Sequence, residues 1–486
     1  MKLQTKKTHQ TREDVQMKSD KELSDKKLGP MHVWALGVGI VLVGEFMGWN
    51  FTIARGGSIG SIIAIWTMSI MYIAIVMMTN EMSSVMPESG GQYAMAKYLL
   101  GPLAAFNVGL MAVLEYAMLE AADVVVIGEI LQSLNPDLSS LPFIILSLVF
   151  LTWMNYRGVY ATLTLNFIIT AVAFVSVLVL LFSTSFYDPQ NTLIKLEQMT
   201  NGLPYGFLGV LAAMQFAIWF FLGIEGTAMA TTECRSAERS MPLGSILGLL
   251  TLLIGATITW YVCSGLIDAE ALGASPYPLY EAAVATGKLY AVIALFVGTL
   301  LSCLASANGC INDASRAWSA LSRDGILPDV FSKIHPRYNT PYRSILFLMP
   351  ISIAFAFTGM LDQIITFSIF SALLIYMFTA IMMLRFRKMY PLNTIDRGYI
   401  APIHPIPAVI TLILASLAIV GMSFTYDVNI LLGIIFYSLA SVWFIIRRYK
   451  FINKDEFFNK GIAKWGMPHH ILYCTPEMRH EKNDRT

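Results

Sequence analysis

Charge is what this sequence has least of. Asp, Glu, Lys and Arg supply 13% of its 486 residues while apolar residues supply 56%, too little polar surface to coat a water-soluble globule of this size. Histidine is rarer still: the seven lie at 9, 32, 335, 404, 469, 470 and 480, none well inside an apolar run and none at metal-ligand spacing. That argues against a metal centre and, with no paired catalytic groups beside a membrane surface, against an integral membrane enzyme. Five cysteines are too few and too scattered for a disulfide framework, and Cys263, Cys303 and Cys310 read as small packing residues. Neither tail has a basic patch interleaved with aromatics or a phosphate-cradling glycine loop, so nucleic acid partners and cofactors have no support. A repeated pore motif and a soluble signalling domain are also missing, which argues against a channel or a sensor. The first 30 residues lack an apolar core followed by a small-residue cleavage site, so no cleaved signal is expected.

What the chain does have is long apolar runs. At about 20 residues per spanning helix, they fall at 31–54, 59–80, 103–131, 141–156, 161–183, 205–230, 244–267, 289–312, 344–360, 363–384, 404–424 and 428–446. The expected fold is therefore an all-α integral membrane protein with about twelve transmembrane helices, in the cell (plasma or inner) membrane. Lys and Arg set its orientation: with the N-terminus inside, only Arg55, Lys195 and Lys288 of the 33 basic residues fall outside, which puts both termini in the cytoplasm. The division follows as a polar tail 1–30, a transport core 31–385 holding spans 1 to 10, two further spans over 386–448, and a C-terminal tail 449–486.

Two of the runs are interrupted. The first contains Gly44-Glu45-Phe46-Met47-Gly48-Trp49-Asn50, and the sixth contains Gly223-Ile224-Glu225-Gly226, each with a carboxylate between glycines at mid-span. Breaking a helix in lipid frees backbone groups that cost several kcal/mol unless they line a cavity or bind something. Glycines that only let helices pack closely would explain either run alone, but two matched breaks five spans apart fit a 5+5 inverted repeat (LeuT-like), with broken helices 1 and 6 meeting near the midplane.

The residues around these breaks carry a family resemblance. The stretch Glu81-Met-Ser-Ser-Val-Met-Pro87-Glu-Ser-Gly90-Gly91-Gln-Tyr93 with Gly101-Pro102 and Phe106-Asn-Val-Gly109 resembles the signature of the amino acid/polyamine/organocation permease superfamily. Phe221-Leu-Gly223-Ile-Glu225 with Glu233 and Pro242, and Ser315-Arg316, Ser322-Arg323-Asp324-Gly325 and Thr340-Pro341, are similar to its sixth and eighth spans and their exits. The resemblance implies a secondary transporter of a small cationic or zwitterionic amine. Within it, Gly-Glu-Phe-x-Gly-Trp-Asn and Glu115-Tyr116-Ala117 resemble the ethanolamine permease subgroup, where Trp49 and Asn50 would replace bare backbone that receives a substrate carboxylate. Ethanolamine is the expected solute, with an amino acid or polyamine as the alternative.

Buried acids need a reason in lipid, where each costs about 2.5–3.5 kcal/mol at a span centre. Glu45, Glu115, Glu120, Asp123 and Glu225 fall in runs that offer almost no Lys or Arg, so a bound ammonium would supply the countercharge, or the acids cap freed backbone. Glu115, Glu120 and Asp123 share one face of the third run, the last two being the better fit to an interhelical hydrogen-bonded cluster. Trp219 aligns with an aromatic that in the superfamily closes over substrate, and its ring would also suit an ammonium ion. The candidate substrate-binding residues are Gly44, Glu45, Gly48, Trp49, Asn50, Glu115, Trp219, Gly223 and Glu225. Ser302, Ser306, Asn308 and Asn312 suit a cavity wall, and Asp313 with Arg316 an i, i+3 ion pair. Residues 161–183 hold no Lys, which removes one proton-symport arrangement known in the superfamily and leaves the coupling ion open.

Overall fold

A computed structural model describes residues 28–451 apart from 87–89, 133, 136, 185–202, 204–205, 235–236, 276, 359–360, 396 and 425. The two polar tails, apart from a few residues at their inner ends, and the Pro87-Glu-Ser part of the first motif lie outside the described residues, as does Lys195. Everything long among the described residues is helical, and eight helices are long and apolar enough to cross a membrane. Three shorter apolar segments, Pro30–Phe46, Leu141–Arg157 and Tyr342–Ala356, accompany them.

The chain opens with α1 (Pro30–Val41), where Pro30 takes the first helical turn, whose N–H groups need no partner. It continues in the single turn α2 (Val43–Phe46) and leaves the helix at Met47, whose backbone is extended. Gly48, at φ +83°, sits in the left-handed region that a side chain would resist, and the helix resumes in α3 (Asn50–Val85). That long element holds two rods, because Gly57 at φ +68° and ψ −178° turns the chain between them. The sequence marked these as separate runs ending at 54 and starting at 59, and the turn falls in the gap.

Next come α4 (Gln92–Leu99), α5 (Pro102–Gln132), α6 (Leu141–Arg157) and α7 (Val159–Ser183). The sixth run begins as α8 (Gly206–Ala217), tightens into a 3-10 turn over Ile218–Phe220, breaks at Phe221–Gly223, and goes on as a second 3-10 segment, Ile224–Glu233. Gly223 lies at φ +102°. The rest is α9 (Ala237–Leu266), two short helices α10 (Ala269–Ala274) and α11 (Pro278–Ala285), then α12 (Leu289–Arg323), α13 (Tyr342–Ala356), α14 (Leu361–Met389), α15 (Ile406–Ser423) and α16 (Asp427–Phe451).

The core forms around α12, which packs mainly on α5 and α7, while α3 packs on α8. Small residues make this possible where no hydrophobic force drives helices together in lipid. A Cβ on Gly309 of α12 would stand 2.2 Å from Ile40, and one on Gly298 would stand 2.0 Å from the Ser176 hydroxyl. The outer faces of α15 and α16 carry the exposed Ile, Leu, Val and Phe side chains that suit contact with lipid tails.

Candidate functional site at the two helix breaks

The breaks touch. A Cβ on Gly44 would lie 2.3 Å from the Trp219 carbonyl oxygen, and one on Gly48 would lie 2.6 Å from Trp219 Nε1. Glycine at both positions is therefore what lets the first broken helix cross the sixth at contact distance. The Trp219 indole N–H is buried and has no hydrogen-bond partner among the described residues. It is a donor aimed at the spot where α2 ends and α3 begins, beside a helix N-terminus that favours anions.

Trp49, fully buried, does something other than fill a pocket. Its indole N–H donates to the Glu45 carbonyl at 3.1 Å, and its ring packs on Phe220 with centroids 5.7 Å apart. The side chain thus satisfies a backbone oxygen at the break and clamps the two broken helices together. Trp49→Phe is expected to cost about 1 kcal/mol of stability, seen as a lower melting temperature in detergent, while an unchanged melting temperature would return Trp49 to a pocket-filling role. Asn50 points elsewhere: its Nδ2 donates to the Gly273 carbonyl of α10 at 3.2 Å. It fastens the outer rod of the first run to a connecting helix and does not join Glu225.

Glu45 also parts from Glu225. Its carboxylate is wholly buried and faces α9, where a Cβ on Gly255 would be 2.8 Å from Oε1 and Thr259 lies alongside. Neither carboxylate oxygen has a hydrogen-bond partner among the described residues. The cluster at the second break gathers around Glu225 instead. Tyr376 of α14 donates to Glu225 Oε1 at 2.6 Å, and the Tyr376 and Tyr72 hydroxyls are 2.9 Å apart. Glu115 of α5 meets the Glu225 carboxyl directly. A Cβ on Gly226 would be 2.2 Å from Asp313 Oδ2 and 2.9 Å from the Tyr116 hydroxyl, so α5, α12 and the sixth run converge on that glycine.

A family model described as amino acid permease matches residues 31–459, a stretch that holds both breaks and every group just placed. The chain belongs to that family. This permease is a multi-pass membrane transporter, not an enzyme. An uncharacterized transporter of Rhizobium meliloti is 48% identical over 447 residues, covering 91% of this chain and 96% of that protein. The branched-chain amino acid permease of Bacillus subtilis is 21% identical over 441 residues, 86% of this chain and 93% of its own. The human cystine/glutamate transporter is 24% identical over 357 residues, 68% of each chain.

Other acids of the permease settle into separate surroundings. Glu120 accepts from the Ser352 hydroxyl of α13 at 2.9 Å, an interhelical hydrogen bond. Asp123 stands beside Ser306 of α12, and neither of its oxygens has a hydrogen-bond partner among the described residues. Asn308 accepts from Asn155 of α6 and donates to Asn166 of α7, both at 2.8 Å, a buried triad tying three helices. Asp313 and Arg316 are linked through Asn312, which accepts from Arg316 Nε at 3.1 Å and donates to Asp313 Oδ1 at 2.9 Å.

Two networks at the loop end of these helices hold the motifs of the permease together. Tyr93 donates to Asp324 Oδ2 at 2.7 Å, and Lys97 pairs with the same carboxylate at 3.0 Å. Glu81 receives Arg387 and Arg397, each at 2.7 Å, and the Ala401 N–H at 2.8 Å, while Arg397 also donates to the Tyr390 carbonyl. Burial, with Arg387 nearby, holds His404 below the usual imidazole range, which keeps a third positive charge from this cluster near neutral pH.

Proposed function

We propose that the permease moves a small solute bearing an ammonium group across the plasma (inner) membrane by alternating access, with an amino acid as the first reading. One observation carries it: an unpartnered donor, Trp219 Nε1, at the first break, and paired acids, Glu115 and Glu225, at the second. A zwitterion offers an anionic group to the first and an ammonium to the second. The named relatives among the amino acid permeases favour the same reading. Gly44, Gly48 and Gly223 are assigned to the close crossing, Trp219, Glu115 and Glu225 to solute contact, Trp49 and Asn50 to holding the broken helix, and Glu45 to an outlying countercharge.

Twelve spans follow if the three shorter apolar segments and acid-bearing α5 join the eight long helices. A 5+5 inverted repeat then places the breaks in its two equivalent helices, with both termini cytoplasmic and the division of the chain as the sequence suggests. Ethanolamine is the second reading. The acids favour it, since Glu45, Glu115, Glu225 and Asp313 are all buried and would attract an amine without asking for a carboxylate.

Competition against labelled alanine in proteoliposomes tests both readings. Unlabelled serine or alanine in excess is expected to bring uptake to background, with ethanolamine and putrescine far weaker. Ethanolamine competing while serine does not would replace the first reading by the second, and putrescine alone would select a polyamine carrier.

A further inference from the structure

Glu115 and Glu225 approach from different helices and, in the proposed repeat, from different halves of the protein: α5 is the third span and the Ile224–Glu233 segment belongs to the sixth. Two carboxyls in contact away from water cannot both be ionised, because like charges at that distance repel strongly in a low dielectric. Together they hold at least one proton. The groups that face them are Tyr376 of α14, Tyr72 of α3, Tyr116 of α5, Asp313 of α12 and Tyr437 of α16. None of these is cationic. Tyr376 donates to Glu225 and meets Tyr72 in turn, so the pair sits at the end of a short chain of hydroxyls, and hydroxyls can accept and donate at once.

We infer that the Glu115–Glu225 pair, lying across the joint between the two halves, is the site at which this permease takes up and releases a proton in each transport cycle. The inference rests on the transport reading above and adds the coupling ion. Alternating access moves one half of such a fold against the other around a fixed site. When the halves part, water reaches the carboxyls. The O–H bond then breaks, its electron pair stays on the carboxylate oxygen, and the proton passes to water on the open side. Closing the pair on the other side of the cycle requires a proton from that side. Whatever negative charge remains is left for the ammonium of the solute.

The test uses full-length permease in proteoliposomes with a pH-sensitive dye trapped inside, and alanine and ethanolamine as solutes. The wild type is expected to acidify the lumen as solute enters at a constant proton-to-solute ratio. Glu115→Gln and Glu225→Gln each remove one of the two acids assigned to solute contact and leave the other, so each is expected to exchange labelled solute in counterflow with weakened solute affinity and to move no protons during net uptake. Glu120→Gln, an acid on the same helix that serves Ser352, is expected to keep the wild-type ratio. Net solute uptake without acidification in the wild type would overturn the inference, as would acidification by either Gln variant. Loss of counterflow in both variants, while each runs monodisperse in gel filtration, would overturn it too. A wild type that exchanges neither alanine nor ethanolamine would instead sink the reading of the transported solute on which it rests.

Discussion

Replacing Glu81 by alanine is expected to remove about 3–5 kcal/mol of stability, because a buried ion pair that loses one partner leaves the other charge stranded. Two guanidinium groups are stranded here. Both Arg397 and the Glu81 carboxylate are fully buried as side chains, and Arg387 is 10% exposed. The Ala401 N–H loses its acceptor as well. Thermal melting of the detergent-solubilised protein reads the loss, with poor surface expression as its cellular counterpart. A triple change of Glu81, Arg387 and Arg397 to leucine is expected to melt higher than Glu81→Ala, since apolar replacement of a whole buried network is often neutral. A Glu81→Ala protein that melts with the wild type would show that water reaches these arginines.

Gly44→Val should abolish most transport with a smaller effect on folding. The valine Cβ would meet the Trp219 carbonyl oxygen at 2.3 Å, its carbon at 3.0 Å and Phe220 Cα at 3.2 Å, all backbone atoms that no rotamer can move aside. Overpacking of this kind costs about 1–3 kcal/mol, which corresponds to roughly fivefold to 150-fold in the population of the close-packed arrangement. Initial uptake rates, normalised to protein in the membrane, are the measurement. Gly29→Ala is the control, since a Cβ there meets nothing within 4 Å. Near-normal uptake by Gly44→Val would mean that the crossing of the two breaks does not matter to the cycle.

The breaks were legible because backbone chemistry wrote them into the sequence. Gly48 and Gly223 stand where φ is positive, and Gly44 and Gly226 stand where another chain passes too close for a side chain. Composition could count apolar runs for the same reason, since lipid demands them. What sequence could not supply was rotation. Glu45 and Glu225 occupy similar frames of glycine, yet one turns toward Gly255 of α9 and the other toward Tyr376 of α14. Trp49 read as a pocket filler, and its bond to the Glu45 carbonyl was not foreseen. Tyr72 and Tyr376 gave no signal at all, because a tyrosine in an apolar run is unremarkable until its hydroxyl is seen to have a partner 304 residues away. Arg387 and Arg397 could have been sought from Glu81, an acid at the end of an apolar run that needed a countercharge, but their distance along the chain hid them.

The clasp of Tyr93 and Lys97 on Asp324 has a practical consequence for exchanging parts between relatives. The two stretches it joins lie more than 200 residues apart and resemble the superfamily independently, yet one carboxylate receives both donors. A chimera that takes the 81–99 segment from the Rhizobium transporter while keeping the native 313–325 segment therefore mates two surfaces that have not diverged together. Substitutions in either stretch are best transplanted as a single inheritance unit, with both sides of the clasp drawn from the same parent.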